Sequence, residues 1–226
     1  MLENYEYPYP VSFYHFNAQK NDYKMAYMYI QPENDNGKTV TLLHGKNFNG
    51  AYWETTIDAL TTEGFNVLVP DQLGFGKSSK PEYFQYTFQQ LAENTKGLID
   101  SLGIKETTIL GHSMGGMLAT RFTLMYPEVT KNLVLVNPIG LEDWKALGVP
   151  YIDTDITWAQ EKSSTYGSIR GYEQATYYVG TWEDSYDIWV NMLVNIYIGS
   201  KADKFTWNQA LIVDMVLTQP IVYEFP

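Results

Sequence analysis

The stretch Thr107-Thr108-Ile109-Leu110-Gly111-His112-Ser113-Met114-Gly115-Gly116 decides how this chain folds. Thr107 to Gly111 is a short apolar run with β-branched residues, the pattern of a buried strand. From about Met114 to Tyr126 the spacing is helical, and Pro127 ends it because the residue before a proline is driven out of α geometry. Only His112 and Ser113 remain to turn the chain from strand to helix. So sharp a turn needs small flanking residues, which Gly111 and Gly115 supply, and it holds Ser113 at its tip in a strained backbone conformation. Gly116 gives further room for close packing.

Working outward, Val11 to Phe16 and Lys24 to Ile30 are rich in aromatic residues and read as a strand pair around the polar loop Asn17 to Asp22. Thr39 to His44 is a third strand, and Tyr52 to Glu63 a helix closed by Gly64. Asn66 to Pro70 is a short apolar strand. Thr87 can cap the next helix, with Gln90 reaching back in a capping box, and Phe88, Leu91, Thr95, Leu98, Ile99 and Leu102 share one face. Leu133 to Val136 is a sixth strand. Strands that alternate with helices and are apolar throughout imply an α/β fold, a mostly parallel sheet covered by helices on both faces.

Beyond Pro138 the texture changes. Five of the six tryptophans lie between Trp144 and Trp207, and no run resembles a core strand. Glu173 to Val179, Tyr186 to Tyr197 and Lys204 to Leu217 have helix-compatible spacing. The expected organisation is a core over residues 1–140, a helical insertion over 141–219, and a return toward the core from 220 to 226.

Composition narrows the function. With 226 residues, 45% hydrophobic and 18% charged, the chain has the balance of a soluble globular protein and no apolar run long enough to span a bilayer. Its net charge of -11 would repel a phosphate backbone or an anionic lipid surface, so neither nucleic acid nor membrane is an expected partner. The absence of Cys excludes disulfides and thiolate chemistry. His15, His44 and His112 are too scattered for a metal cluster, and no metal or cofactor is expected. Residues 1–5 have neither the basic nor the apolar region of a signal peptide, so the expected location is the cytoplasm unless a leader was removed.

Gly111-His112-Ser113-Met114-Gly115 fits the G-x-S-x-G nucleophile elbow, in the strand-to-helix setting that gives that motif its meaning. The helix N-terminus favours negative charge developing there. An oxyanion hole needs two backbone N–H groups, and Met114 supplies one. The second is expected from His44-Gly45-Lys46-Asn47. With Pro70-Asp71-Gln72-Leu73-Gly74-Phe75-Gly76-Lys77-Ser78-Ser79, similar to a D-x-x-G-x-G-x-S segment, these motifs resemble the α/β-hydrolase family over roughly residues 11–140. By that resemblance the second donor is the Lys46 amide, with Asn47 as the alternative, and the insertion is a cap over the serine. Gly76-Lys77-Ser78 also ends like a P-loop, but Asp71 stands where that motif needs glycine and Pro81 follows too soon for a helix. Asp71 and Ser78 therefore read as structural residues of a turn.

The resemblance implies a serine hydrolase forming an acyl-enzyme at Ser113, acting on a small, neutral, apolar ester or related acyl compound. Tyr177, Tyr178 and Trp182 are the candidate substrate-lining residues. In the family a triad runs serine, acid, histidine, yet no histidine follows Ser113. Asn137, Glu142 and Asp143 occupy no clear acid position, and His44 and His112 read as scaffold. The expectation is a chain cut short of the acid and the base, with Leu133 to Val136 left as an exposed edge through which copies associate. A non-catalytic protein that binds a small apolar ligand in the same fold is the alternative.

Overall fold

Six strands join into one sheet in the computed structural model, which describes residue 2 and residues 4–225. Met1, Glu3 and Pro226, parts of the expected terminal segments, lie outside the described residues. The strands are β1 (Val11–Ala18), β2 (Asn21–Ile30), β3 (Thr39–Leu43), β4 (Asn66–Pro70), β5 (Thr107–His112) and β6 (Thr130–Val136). Their spatial order is β1-β2-β4-β3-β5-β6. β1 and β2 run antiparallel to their neighbours, whereas β4, β3, β5 and β6 are mutually parallel. This is the α/β architecture, a mostly parallel sheet with helices packed on it, that the strand and helix pattern implies.

The first connection is tighter than its polar sequence suggests. Strand pairing continues to Ala18 and resumes at Asn21, so only Gln19 and Lys20 turn, both with positive φ (48° and 66°). That is the twist a two-residue hairpin demands, and polar residues tolerate it here without glycine.

The helices follow from their caps and apolar faces. α1 (Glu54–Thr62), preceded by a 3-10 turn at Gly50–Trp53, covers one face, where Ile57 and Trp53 pack on Met28, Val40, Leu42, Val67 and Val69. α2 (Phe88–Ser101) and α3 (Met114–Met125) cover the other through Leu91, Leu98, Met117, Leu118 and Phe122. Thr87 caps α2 by accepting from the Gln90 amide at 3.0 Å. The reciprocal half of the expected capping box is absent, because the Gln90 side chain turns outward to Glu93 and Asn94.

After β6 come α4 (Thr154–Lys162), α5 (Tyr166–Thr176), α6 (Asp187–Tyr197) and α7 (Ala202–Thr218). α4 was not legible as a helix, and α5 lies earlier than the expected Glu173 to Val179, since Thr165 and Ser168 form a reciprocal cap at its start. α7 is bound into the sheet's own core. Ile212, Met215 and Val216 join the cluster of Phe75, Leu91 and Met117, and Asn208 donates to the Pro81 carbonyl at 2.9 Å. α5 and α6 form a smaller core with Ile169, Val190, Leu193 and Ile196. Among the described residues no helix is long and apolar enough to cross a membrane.

Candidate active site

Ser113 stands between β5 and α3 with φ 56° and ψ -121°, a region that non-glycine residues occupy only when the surroundings enforce it. Its backbone is held on both sides. The Ser113 amide donates to the Val136 carbonyl at 3.1 Å, and the Ser113 carbonyl accepts from Gly116 at 2.9 Å. The glycines are needed for space more than for flexibility. A Cβ at Gly111 would lie 2.1 Å from the Gly115 carbonyl oxygen, and one at Gly115 would lie 2.1 Å from that of Leu43. At Gly116 it would meet Pro138 at 2.7 Å.

The loop after β3 packs directly on this turn, as a Cβ on Gly45 would sit 3.2 Å from that of Ser113. Met114 opens α3, so its amide is one of the first-turn donors that no helical carbonyl can satisfy. His44 fixes the loop from beneath. It is fully buried, its Nδ1 lies 2.8 Å from the Gly45 carbonyl and its Nε2 accepts the Gln72 amide at 3.0 Å. Those partners require a neutral ring with its proton on Nδ1, and burial pushes its pKa down. His112 points into aromatic side chains, with Nδ1 3.0 Å from the Tyr52 hydroxyl, and burial lowers its pKa as well. Among the described residues neither ring is hydrogen-bonded to the Ser113 hydroxyl.

Asp71 and Ser78 are structural, as their turn suggests. The Asp71 carboxylate accepts from Gly50 at 2.7 Å, Lys77 at 2.8 Å and the Tyr7 hydroxyl at 2.6 Å. Ser78 donates to the Asp71 carbonyl and accepts the Ala26 amide. No helix begins at Lys77-Ser78, which removes the P-loop reading. Of the acid candidates, Asp143 accepts from Ala146, Lys145 and the Tyr223 hydroxyl, which hold its carboxyl below the usual range. Glu142 accepts from the Trp144 ring nitrogen, and Asn137 is left-handed at φ 42°.

The helical segment is stitched to the loop after β3 by three polar contacts, and by the ring of Phe48, that sequence reading missed. Lys46 pairs with Glu161 of α4 at 2.8 Å, and Glu161 also accepts from Tyr197 of α6. Asn47 donates to the Tyr177 hydroxyl at 2.8 Å, and Asn49 approaches the Met192 sulfur at 3.1 Å. Phe48 stacks on Tyr52 and meets Tyr177 and Trp189. Of the three aromatic candidates, the structure thus brings Tyr177 to the serine-flanking loop. Tyr178 and Trp182 instead pack on Tyr186, with Trp182 also bonded to Asp187 and covered by Arg170. A cavity of about 640 Å³ lined by Val11, Phe13, Lys24, Lys77, Pro81 and Lys201, among others, lies away from Ser113.

Glu173 on α5 was also missed. It is 1% exposed, neither carboxyl oxygen has a hydrogen-bond partner, and burial pushes its pKa up to about 7. An acid whose folded pKa exceeds its unfolded one stabilises the fold while protonated. That contribution is complete below about pH 4.5 and lost as pH rises through 7, a loss of about 3 kcal/mol by pH 8. Urea unfolding at pH 5 and pH 8 should show the decline, and Glu173→Gln should flatten it. An equally steep decline in the variant would assign it elsewhere.

The comparisons agree with this geometry. Residues 38–176 match the family model described as alpha/beta hydrolase fold. The crystal structure of a "probable hydrolytic enzyme" from Pseudomonas aeruginosa PAO1 superposes with a TM-score of 0.97 at 50% identity, covering 99% of this chain and 72% of that one. The esterase EaEST of Exiguobacterium antarcticum shares the fold, with a TM-score of 0.71 at 20% identity over 93% of this chain and 75% of its own. Lipase 3 of Moraxella sp. is 36% identical over 124 residues, 54% of this chain and 38% of that protein. The chain spans between 26% and 41% of the length of such curated relatives. With the strained serine turn and the family match falling on the same residues, the chain belongs to the α/β hydrolase fold family.

Proposed function

We propose that Ser113 is the nucleophile of a serine hydrolase that cleaves small esters or related acyl compounds through an acyl-enzyme. The observation that carries this reading is the left-handed Ser113 at the N-terminus of α3, with Gly45 packed against it. In such a turn the hydroxyl stands clear of the sheet while the helix dipole and the Met114 amide face the charge that develops on the substrate oxygen. The Lys46 amide is the second donor. The helices α4 to α7 act as a cap over the serine, with Tyr177 at its inner side and Tyr178 and Trp182 holding its shape. Aromatic residues there, and an acidic excess of 12 to 5 over residues 141–226, favour apolar acyl or aryl groups and disfavour anionic ones.

A fluorophosphonate tests the proposal, because it modifies only an activated serine. In the natural gene product it should attach to the peptide that contains Ser113, and Ser113→Ala should abolish both attachment and nitrophenyl ester turnover. Attachment elsewhere would move the nucleophile. No attachment, with small apolar ligands still bound, would favour the non-catalytic alternative.

The edge of the sheet at β6 is the proposed surface for self-association. Among the described residues β6 pairs only with β5, and Val134 and Val136 are 38% and 40% exposed. An apolar edge with unpaired backbone groups recruits another strand. The solution mass should exceed that of one chain and fall to it in Val134→Lys. A monomer in both would show the edge to be protected.

A further inference from the structure

Buried polar groups are almost always hydrogen-bonded, and a carboxyl group with neither oxygen satisfied pays a penalty that its position must explain. Glu173 is such a group. It lies on the buried side of α5, and burial raises the pKa of the Tyr177 and Tyr178 hydroxyls on the next turn, with a smaller contribution in the same direction from the Glu173 charge. Tyr177 in turn is the residue that bonds Asn47 in the loop flanking Ser113. The neighbouring base on the same helix is committed elsewhere, since Arg170 donates to Gln174 and lies over Trp182.

What would satisfy this group has a definite chemistry. Two carboxylate oxygens offer about four lone-pair sites and, when ionised, no donor, so the complementary group is rich in N–H donors. Nearby aromatic faces favour a cation, and an acidic surrounding segment attracts one. An anion is excluded, and a lone hydroxyl would fill one lone pair only. We propose that Glu173, with Tyr177 and Tyr178 beside it, is the anchor for a protonated amine carried by an apolar or aryl group. Assigning that amine to the substrate of Ser113 rests on the hydrolase reading above; the amine site itself does not. Both oxygens are sealed from solvent, so the ligand enters as α5 shifts from α6 and replaces protein contacts with its own.

The test uses 2-phenylethylamine and its neutral counterpart 2-phenylethanol, titrated calorimetrically into the 226-residue chain at pH 8, where the carboxyl is ionised and the amine still protonated. The amine should bind at least tenfold more tightly than the alcohol. Glu173→Gln, which keeps the shape of the side chain, should bring the amine to the alcohol's affinity, and Glu173→Leu should do the same. Equal binding of the two by the unaltered chain, or a preference that survives in Glu173→Gln, would overturn the proposal. Fluorophosphonate attachment at Ser113 without amine preference would defeat this inference and leave the hydrolase intact. Amine preference in the chain, with no attachment to Ser113 in the natural gene product, would leave the site standing and defeat the acyl-enzyme.

Discussion

On its own, the 226-residue chain should hydrolyse a short nitrophenyl ester on the order of a millionfold more slowly than a serine hydrolase with its base in place, a loss of about 8 kcal/mol. The reason is geometric. His44 spends both ring nitrogens on Gly45 and Gln72, and His112 directs Nδ1 to Tyr52. His15 lies on β1, four strands from β5, or about 19 Å at the usual strand spacing. Without a base the Ser113 hydroxyl stays protonated, and oxyanion donors alone do not make it a nucleophile. Steady-state turnover, compared with that of a serine hydrolase of the same fold whose histidine is in place, checks this. Equal rates would place a base among these residues, with His112 as the nearest in sequence.

Gly115→Ala should cost about 4 kcal/mol or more, because the added methyl would sit 2.1 Å from the Leu43 carbonyl oxygen and 2.7 Å from that of His44. Both obstacles are backbone, which cannot rotate away. For a chain of this size the loss corresponds to a fall in melting temperature of roughly 8 to 16 °C. Gly171→Ala provides the contrast, since on α5 nothing lies within 4 Å of the added carbon. There alanine's helix propensity should hold stability level or raise it by up to about 1 kcal/mol. Thermal unfolding of the two variants decides the matter, and similar melting temperatures would mean that the β3–α3 contact yields more easily than its distances imply.

The strained turn was legible because its constraints are local. Glycine spacing around Ser113, a β-branched strand before it and Pro127 after the helix all act within about 20 residues. The parallel strands could be read for the same reason. What escaped were relations over long sequence separations or against local propensity. Lys46 and Glu161 are 115 residues apart, and Asn47 and Tyr177 are 130 apart, so no periodicity announces either contact. α4 carries its own N-cap at Asp153, yet its weak apolar pattern concealed it. In α5, Gly167 and Gly171 lower helix propensity, and packing against α6 overrides them. Glu173 was illegible for a different reason. A glutamate on a helix is ordinarily solvated, and only tertiary burial distinguishes this one.

The Nδ1–H of His44 also gives the molecule an internal gauge of its own opening. A ring proton held against the Gly45 carbonyl, on a fully buried side chain, exchanges with solvent only when the segment around β3 separates from the Gln72 turn. Its resonance should persist across the neutral range instead of titrating, and its exchange rate would time the same opening that any reshaping of the loop beside Ser113 requires. Because Gln72 follows directly on Asp71, which holds Tyr7, Gly50 and Lys77, loosening at any of those three distant points would register as faster exchange at this single nitrogen.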